Sequence, residues 1–576
     1  MSNCKKADFT KRYVTIVKWM ALGVSIVVTV AASLFRLSYG VELSDEALSL
    51  AESELVIQGL TPYVNGWLQT PGFSIFNTGM LLLYKGLFHT YDGLFLFTRI
   101  VFLANRVLIA LLVALVLRSI GFDKTICLSA AFPMITFYYA YPNRGYQALS
   151  IIFTILIGLT MLLAFQGDVP KSKWLCMAGA LTALSIYSHP SDLASAILIF
   201  ILLLCVAIRR KNRKIVESYS AGGLAVAAIL AGWMLFRCKS VAVLWYGVQT
   251  ILQCNPYFEL KAPPMLESVK NLACFSKGYI VLFLISWTMN MAFSSARKND
   301  VGECIYLVLG TVYTFAKYSG EEQLYKLGCL IAVYLIWQAK SMLTEHRTRA
   351  LYLFTAIPAL FGCIVLGATT WSGIICRLYL IIAAVSCVIG HIGTWKCGDD
   401  AVPLVAICIS TLMTLCLIKS QMTYIYRDEP LPQLDTKVEE GVYKGLYTTK
   451  QRAETVEAVQ NYLEQTLQEN ESVLFMETVP FAYLMTDAKA CTPSSWDIAL
   501  YSYGINDDTL YRRYFQVTRR TPDYIIYIDT GRDEQLSIKD DTYHFTKWVK
   551  QNYTQQADEM AGTMEVVVYK RNGNAT

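Results

Sequence analysis

The chain has 576 residues, of which 55% are hydrophobic and 16% charged, with a mean hydropathy of +0.40 and a formal net charge of +6. Soluble globular proteins carry about 25% charged residues, so the composition excludes a disordered chain, a collagen-like fibre and a small disulfide scaffold, and it points to a protein solvated mostly by lipid. The charge is uneven: residues 420–576 hold 16 basic and 24 acidic side chains, near the soluble norm, whereas the first 419 positions are about half as densely charged and carry a basic excess.

That division predicts a membrane portion over residues 1–419 and a water-soluble domain over residues 420–576. The basic excess reads as loop lysines and arginines obeying the positive-inside rule, so no nucleic-acid partner is expected. Apolar runs of about 17 to 22 residues can cross the roughly 30 Å of hydrocarbon in a bilayer. The N-terminus carries Lys5, Lys6, Lys11, Arg12 and Lys18 and is expected in the cytoplasm, with residues 14–35 crossing outward. No small-residue cleavage pattern follows, which favours an anchor over a removed signal peptide.

An outer loop over residues 36–97 comes next. Within it, residues 73–88 are apolar but short and contain Asn77 and Lys85, so they are expected to lie at the outer interface. Spans then follow at 98–118, 125–141, 146–165, 174–187, 193–208, 219–236, 278–293, 301–316, 324–338, 351–368, 374–391 and 402–418. The result is an α-helical polytopic membrane protein with about thirteen crossings. With the 73–88 segment left out of the count, the basic connections all fall on the cytoplasmic side. The odd number of crossings puts the C-terminal domain outside the cytoplasm.

That domain mixes periods. Val456, Val459, Tyr462, Leu463 and Leu467 recur at helical spacing over residues 451–468, whereas residues 472–476, 524–528 and 564–569 read as strands. A small α/β domain is expected, without a glycine-rich phosphate loop. Of the sixteen cysteines, Cys127, Cys205, Cys329, Cys363, Cys387, Cys408 and Cys416 sit in apolar runs and read as small hydrophobes. Cys254, Cys274 and Cys491 fall outside the membrane without metal-ligand spacing, so neither zinc nor a disulfide framework is expected.

Polar groups cluster at the outer ends of the spans: Asn143 and Arg144, His189, Lys317 and Tyr318, and Arg377. Ionisable groups at membrane depth are costly and tend to line functional cavities, although a lone Lys or Arg near a helix end ordinarily snorkels to the interface. The first outer loop adds Asp45 and Glu46 just beyond the first span. Ser44 or Asp45 could cap the following amphipathic helix, with Glu46 favoured by the helix dipole. A carboxylate fixed in this way could also serve as a general base.

The order of features is informative. A first span, the Asp45-Glu46 pair, an amphipathic helix, Gly59-Leu60-Thr61-Pro62, then Gln69-Thr70-Pro71-Gly72 opening an interfacial helix, many crossings and an outer α/β domain resemble the GT-C glycosyltransferases. The likeness is to bacterial members related to lipid A aminoarabinose transferases and protein O-mannosyltransferases. It implies a GT-C-like fold in a cell membrane and an inverting transfer of a sugar from a polyprenyl-phosphate carrier to an extracytoplasmic glycolipid, envelope glycan or protein. The base would be Asp45, with Glu46 beside it. Arg144, His189, Lys317 and Arg377 would stabilise the departing phosphate, with Tyr318 and Gln69 as further substrate contacts.

Relatives that handle pyrophosphate donors with a divalent metal place a second acidic motif after the third crossing. Here that loop reads Tyr141-Pro142-Asn143-Arg144-Gly145-Tyr146-Gln147 and has no carboxylate, so a monophosphate donor and no cofactor are expected. Glu52 and Glu54 could still supply metal ligands. A transporter or flippase of lipid-linked sugars is the main rival, but the sequence has no internal repeat or matched broken helices. A membrane sensor with an external ligand-binding domain is the other. The Asn-x-Ser/Thr triplets at Asn470, Asn552 and Asn574 carry no weight.

Overall fold

The structure, a computed structural model, describes residues 2–68, 70–137, 141–167, 169–254, 262–292, 299–367, 383–395, 401–496, 509–531 and 544–572. The first helix, α1 (Ser2–Leu37), is followed by α2 (Asp45–Ile57), α3 (Ile75–Phe88) and α4 (Leu94–Ser119). Next come the short helices α5 (Lys124–Ala131) and α6 (Pro133–Thr136), then α7 (Tyr146–Ala164), α8 (Ser172–Ser188), α9 (Leu193–Arg210) and α10 (Lys214–Cys238). The series continues through α11 (Val241–Cys254), α12 (Ala262–Phe275), α13 (Lys277–Ala292), α14 (Asn299–Lys317) and α15 (Gly320–Trp337). It ends with α16 (Ala339–Thr344), α17 (His346–Leu351), α18 (Ile357–Gly367), α19 (Val385–Ile392) and α20 (Ala401–Thr423).

Among the described residues six helices are long and apolar enough to cross a bilayer, or seven if the bent pair Val269–Phe275 and Lys277–Met289 counts as one span. They coincide with the expected spans at 14–35, 98–118, 146–165, 193–208, 219–236 and 402–418, and the bent pair with 278–293. The chain is thus mostly helical with six to seven candidate spans, fewer than the thirteen expected. The shortfall has local causes. The expected span at 125–141 is split into α5 and α6 at Pro133, whose ring and missing amide do not allow a continuous ladder. The span at 351–368 is interrupted by a π-helical turn, Tyr352–Ala356. Helix α15 carries Glu321, Glu322 and Lys326, and α8 has only 17 residues. Much of the expected 374–391 span lies outside the described residues.

Small residues bring helices into close contact. A Cβ at Gly222 of α10 would stand 1.8 Å from the Cys176 carbonyl oxygen of α8, and one at Gly179 of α8 would stand 1.9 Å from the Tyr219 carbonyl oxygen, so these two backbones touch. Helix α3 buries Asn77 and Leu81 but exposes Leu82, Leu83, Leu87 and Phe88. Among the cysteines read as buried, Cys205 and Cys408 instead face outward from their helices.

After α20 the chain forms a small antiparallel ribbon, β1 (Thr436–Lys437) with β2 (Tyr447–Thr448), then α21 (Lys450–Thr466). A mixed five-stranded sheet follows, built from β3 (Ser472–Met476), β4 (Lys489–Ala490), β5 (Tyr524–Asp529), β6 (Tyr553–Ala561) and β7 (Met564–Arg571), in the order β4-β3-β5-β7-β6. Strand β3 runs parallel to β4 and β5, with Val473 opposite Tyr524, whereas β7 is antiparallel to both β5 and β6.

Alternation along the strands feeds two cores. Val473, Phe475, Ile526, Ile528, Val566 and Val568 pack with Val456, Val459 and Leu463 of α21. Leu474, Met476, Ile525, Tyr527, Val567 and Tyr569 pack on the other face with Tyr511 and Phe515 of α22 (Thr509–Thr518) and Phe545 and Val549 of α23 (His544–Asn552). The first of these cores does not stop at the sheet. It continues into Val41, Leu43, Ala47, Leu50 and Ala51 of α2 and the loop before it, and into Leu94 and Phe95 of α4.

Candidate active site

Helix α2 begins at Asp45, with Asp45 and Glu46 in its first turn, where negative charge complements the helix dipole. Neither Ser44 nor Asp45 supplies the expected side-chain cap; Ser44 makes no such bond. Glu42 takes that role. Its Oε1 accepts from the Ser44 amide at 3.0 Å and the Ser44 hydroxyl at 2.8 Å, and its Oε2 accepts from the Glu46 amide at 2.6 Å. Two orphan amides at the start of α2 are thereby satisfied, and the Asp45 carboxylate is released from capping.

Glu46, expected beside the base, is held by α4. Its side chain is fully buried, and both oxygens are taken by Arg99 of α4, Oε1 by Nε at 2.8 Å and Oε2 by Nη2 at 2.6 Å. Arg99 also donates to the carbonyls of Leu37, Tyr39 and Gly40, at 2.8, 3.2 and 2.8 Å. One guanidinium thus fixes the end of α1, the turn after it and the first turn of α2.

Asp45 differs from its neighbours in access: its side chain is 13% exposed, against 3% for Glu42 and 0% for Glu46. The Tyr426 hydroxyl donates to Asp45 Oδ2. Arg427 Nη1 lies 3.3 Å from the same oxygen and 3.4 Å from Glu42 Oε1, and donates to Ser44 Oγ. Burial, together with the nearby Asp45 carboxylate, raises the Glu42 pKa, and Arg427 offsets this only in part. Burial and Asp45 hold the Tyr426 phenol far above its ordinary value, so it remains a donor. Burial acts against the Arg427 cation, but Asp45, Tyr426 and Glu42 outweigh it and push its pKa up.

Of the expected substrate contacts, several flank this site through intermediaries. The Tyr141 ring stands 6.0 Å from that of Tyr426, and a Cβ at Gly145 would meet Ser49 Oγ of α2 at 3.1 Å, so the loop bearing Arg144 leans on α2. Arg144 donates from Nε to Asn77 Oδ1 at 2.8 Å and from Nη2 to the Phe76 carbonyl at 2.6 Å. His189 is buried at the end of α8, its ring 5.4 Å from that of Tyr146, which in turn meets Phe73 at 5.8 Å.

Lys317 is farther out. Its Nζ donates to the Tyr313 hydroxyl at 2.9 Å and sits over the rings of Tyr313 and Tyr318. The Tyr318 carbonyl accepts from Lys419 of α20 at 2.9 Å, and the Gly320 amide donates to Thr423 at 2.9 Å. From there Tyr424 reaches Tyr426, their rings 6.4 Å apart. Gln69 and Arg377 lie outside the described residues. Glu52 and Glu54, weighed as metal ligands, are occupied by protein donors. Glu52 accepts from the Ser495 amide and hydroxyl at 2.7 and 2.8 Å, and Glu54 from the Tyr91 hydroxyl and from Gln58 at 3.1 Å.

Sequence reasoning missed Glu42, Tyr426 and Arg427. The polar run Tyr424-Ile425-Tyr426-Arg427-Asp428-Glu429 directly after the last apolar span was the available cue, since a charged aromatic segment at a membrane exit mirrors the one after the first span. Together these features define a class: an apolar multi-helix protein suited to a bilayer, with an accessible carboxylate clamped between its first interhelix loop and a C-terminal mixed-sheet region.

No family model matches the sequence, and no curated protein does. Among solved structures, the chain is similar to ArnT from Cupriavidus metallidurans bound to undecaprenyl phosphate, over 95% of this chain and 97% of that one, at 11% identity and a TM-score of 0.37.

Proposed function

We propose that the protein is an inverting glycosyltransferase that moves a sugar from a polyprenyl-phosphate carrier to an acceptor outside the cytoplasm, with Asp45 as general base. The observation that carries this reading is selective access. Of three adjacent carboxylates, Glu42 caps a helix and Glu46 is consumed by Arg99, while Asp45 alone stays reachable, held in place by Tyr426 and Arg427.

In the reaction, Asp45 takes the proton of an acceptor hydroxyl or amine as that atom bonds to the anomeric carbon. The carbon–oxygen bond to phosphate breaks on the opposite face, and polyprenyl phosphate departs as an anion. Arg144, His189 and Lys317 supply positive charge and donors around that leaving group, with Tyr318, Gln69 and Arg377 as further contacts. Arg427 keeps the Asp45 carboxylate oriented between turnovers. The orientation that fits has residues 1–419 in the membrane, the N-terminus in the cytoplasm, and the first loop together with residues 420–576 outside.

The test is Asp45→Asn in the full chain, assayed for transfer from a panel of polyprenyl-phosphate sugars. Removing a general base lowers the rate about 10²- to 10⁴-fold. Transfer at the wild-type rate by a normally expressed variant would reject Asp45 as base.

A further inference from the structure

A cavity of about 800 Å³ lies where α7 and α9 end. Arg209 and Arg210 at the end of α9, and His346 and Arg349 of α17, are among its lining residues, as are the apolar Phe165 and Phe354. Helix α9 starts beside His189 and α7 starts at Tyr146, both on the Asp45 side. Eighteen residues of α9 at about 1.5 Å each carry the chain roughly 27 Å, close to one hydrocarbon thickness, before Arg209 and Arg210 are reached. The cavity therefore lies a membrane's depth away from the site already described.

Three features set it apart from an ordinary basic rim. Its described lining contains no carboxylate. Arg349 is braced, with Nε donating to the Leu343 carbonyl at 2.6 Å and Nη2 to the Thr344 carbonyl at 2.9 Å, which fixes the guanidinium plane. The Arg210 guanidinium stands over the Phe165 ring at 5.7 Å, so charge and hydrocarbon meet along one wall. The π-helical turn Tyr352–Ala356 contributes Phe354 to the lining. A snorkelling arginine needs none of these.

We infer that this cavity binds an anionic phospholipid of the leaflet opposite the Asp45 site, its phosphate against Arg209, Arg210 and Arg349 and an acyl chain along Phe165 and Phe354. Basic pockets between helices at a membrane's cytoplasmic side suit such headgroups, and each nearby Lys or Arg contributes about 1 kcal/mol to the attraction. Only charge, shape and the membrane setting enter, so the inference does not depend on the chemistry at Asp45.

The experiment uses the full-length protein in detergent and fluorescent short-chain phosphatidylglycerol, with phosphatidylcholine as the neutral control and inorganic phosphate as competitor. The wild type should bind phosphatidylglycerol saturably and in preference to phosphatidylcholine. The triple variant R209Q/R210Q/R349Q should bind on the order of a hundredfold more weakly, at about 1 kcal/mol per arginine. The lysine variant R209K/R210K/R349K, which keeps the charge, should retain most of the affinity and serves as the folding control. Equal binding by wild type and triple glutamine variant overturns the inference. So does equal binding of the two lipids, or displacement of the lipid by inorganic phosphate at the concentration where unlabelled phosphatidylglycerol displaces it, since that would mark a site for free phosphate.

Discussion

At the scale of single residues, Arg99 does the most to set the position of Asp45. It ties Glu46 and three carbonyls together while almost wholly buried. Breaking a buried ion pair by removing one partner costs about 3–5 kcal/mol, because the remaining charge is stranded. Arg99→Leu should therefore lower the thermal midpoint sharply in detergent, and pairing it with Glu46→Leu should restore most of the loss. An Arg99→Leu protein that melts like the wild type would show that the pair carries no structural weight. Tyr426→Phe removes only a donor to Asp45, so the fold should persist while transfer falls about 10- to 100-fold, in line with the roughly 1.5–3 kcal/mol of a hydrogen bond to a charged group. Asp45 was legible in the sequence because an acidic pair just past a first span is unusual. Arg427 was not: it is brought beside Ser44 from 383 residues away, and no local spacing encodes such a meeting.

At the scale of elements, α2 is a helix with nearly every side chain engaged, polar ones included. Its Glu52 accepts from the backbone and side chain of Ser495 in the C-terminal region, yet burial outweighs those bonds and raises its pKa to about 7. A carboxyl raised on folding holds its proton in the native state after the unfolded chain has lost its own. The stability it contributes is full below about 4.5 and is lost as pH rises through about 7. The amount is on the order of 3 kcal/mol. The wild-type melting temperature should therefore fall across that window and that of Glu52→Gln should fall less; parallel profiles would refute the assignment. Long apolar helices such as α4 and α7 were readable because composition alone fixes them. The breaks at Pro133 and at the π turn were harder to read, since tertiary packing decides whether an apolar run stays in one piece.

At the scale of the whole molecule, the segment from Val41 to Ala51 and the C-terminal sheet share one apolar core that runs through Val442 to Ile526. The helix and strands of that region followed from periodicity, and α21, β3, β5 and β7 lie where the spacing placed them. Their docking on α2 and α4 did not follow, because a strand pattern says which residues turn inward and nothing about what covers the other side. Removing everything after Thr423 should abolish transfer even if the helices insert, because Tyr426 and Arg427 leave with the sheet and Val41, Leu43 and Leu50 lose their cover. An active truncated protein would mean that Asp45 needs neither donor. Membrane fractionation of the truncated chain together with the transfer assay decides the matter.

The bond from Tyr426 to Asp45 spans 381 residues, and the ribbon carrying Tyr447 pairs with the backbone at Ser38 and Gly40. At about 5–20 residues per second, a ribosome needs roughly 20 to 80 seconds between releasing one end of that clamp and the other. During the interval the nascent carboxylate has neither its phenol nor its guanidinium. Under the proposed reaction, completion of the last segment is the step that supplies Asp45 with both of its partners.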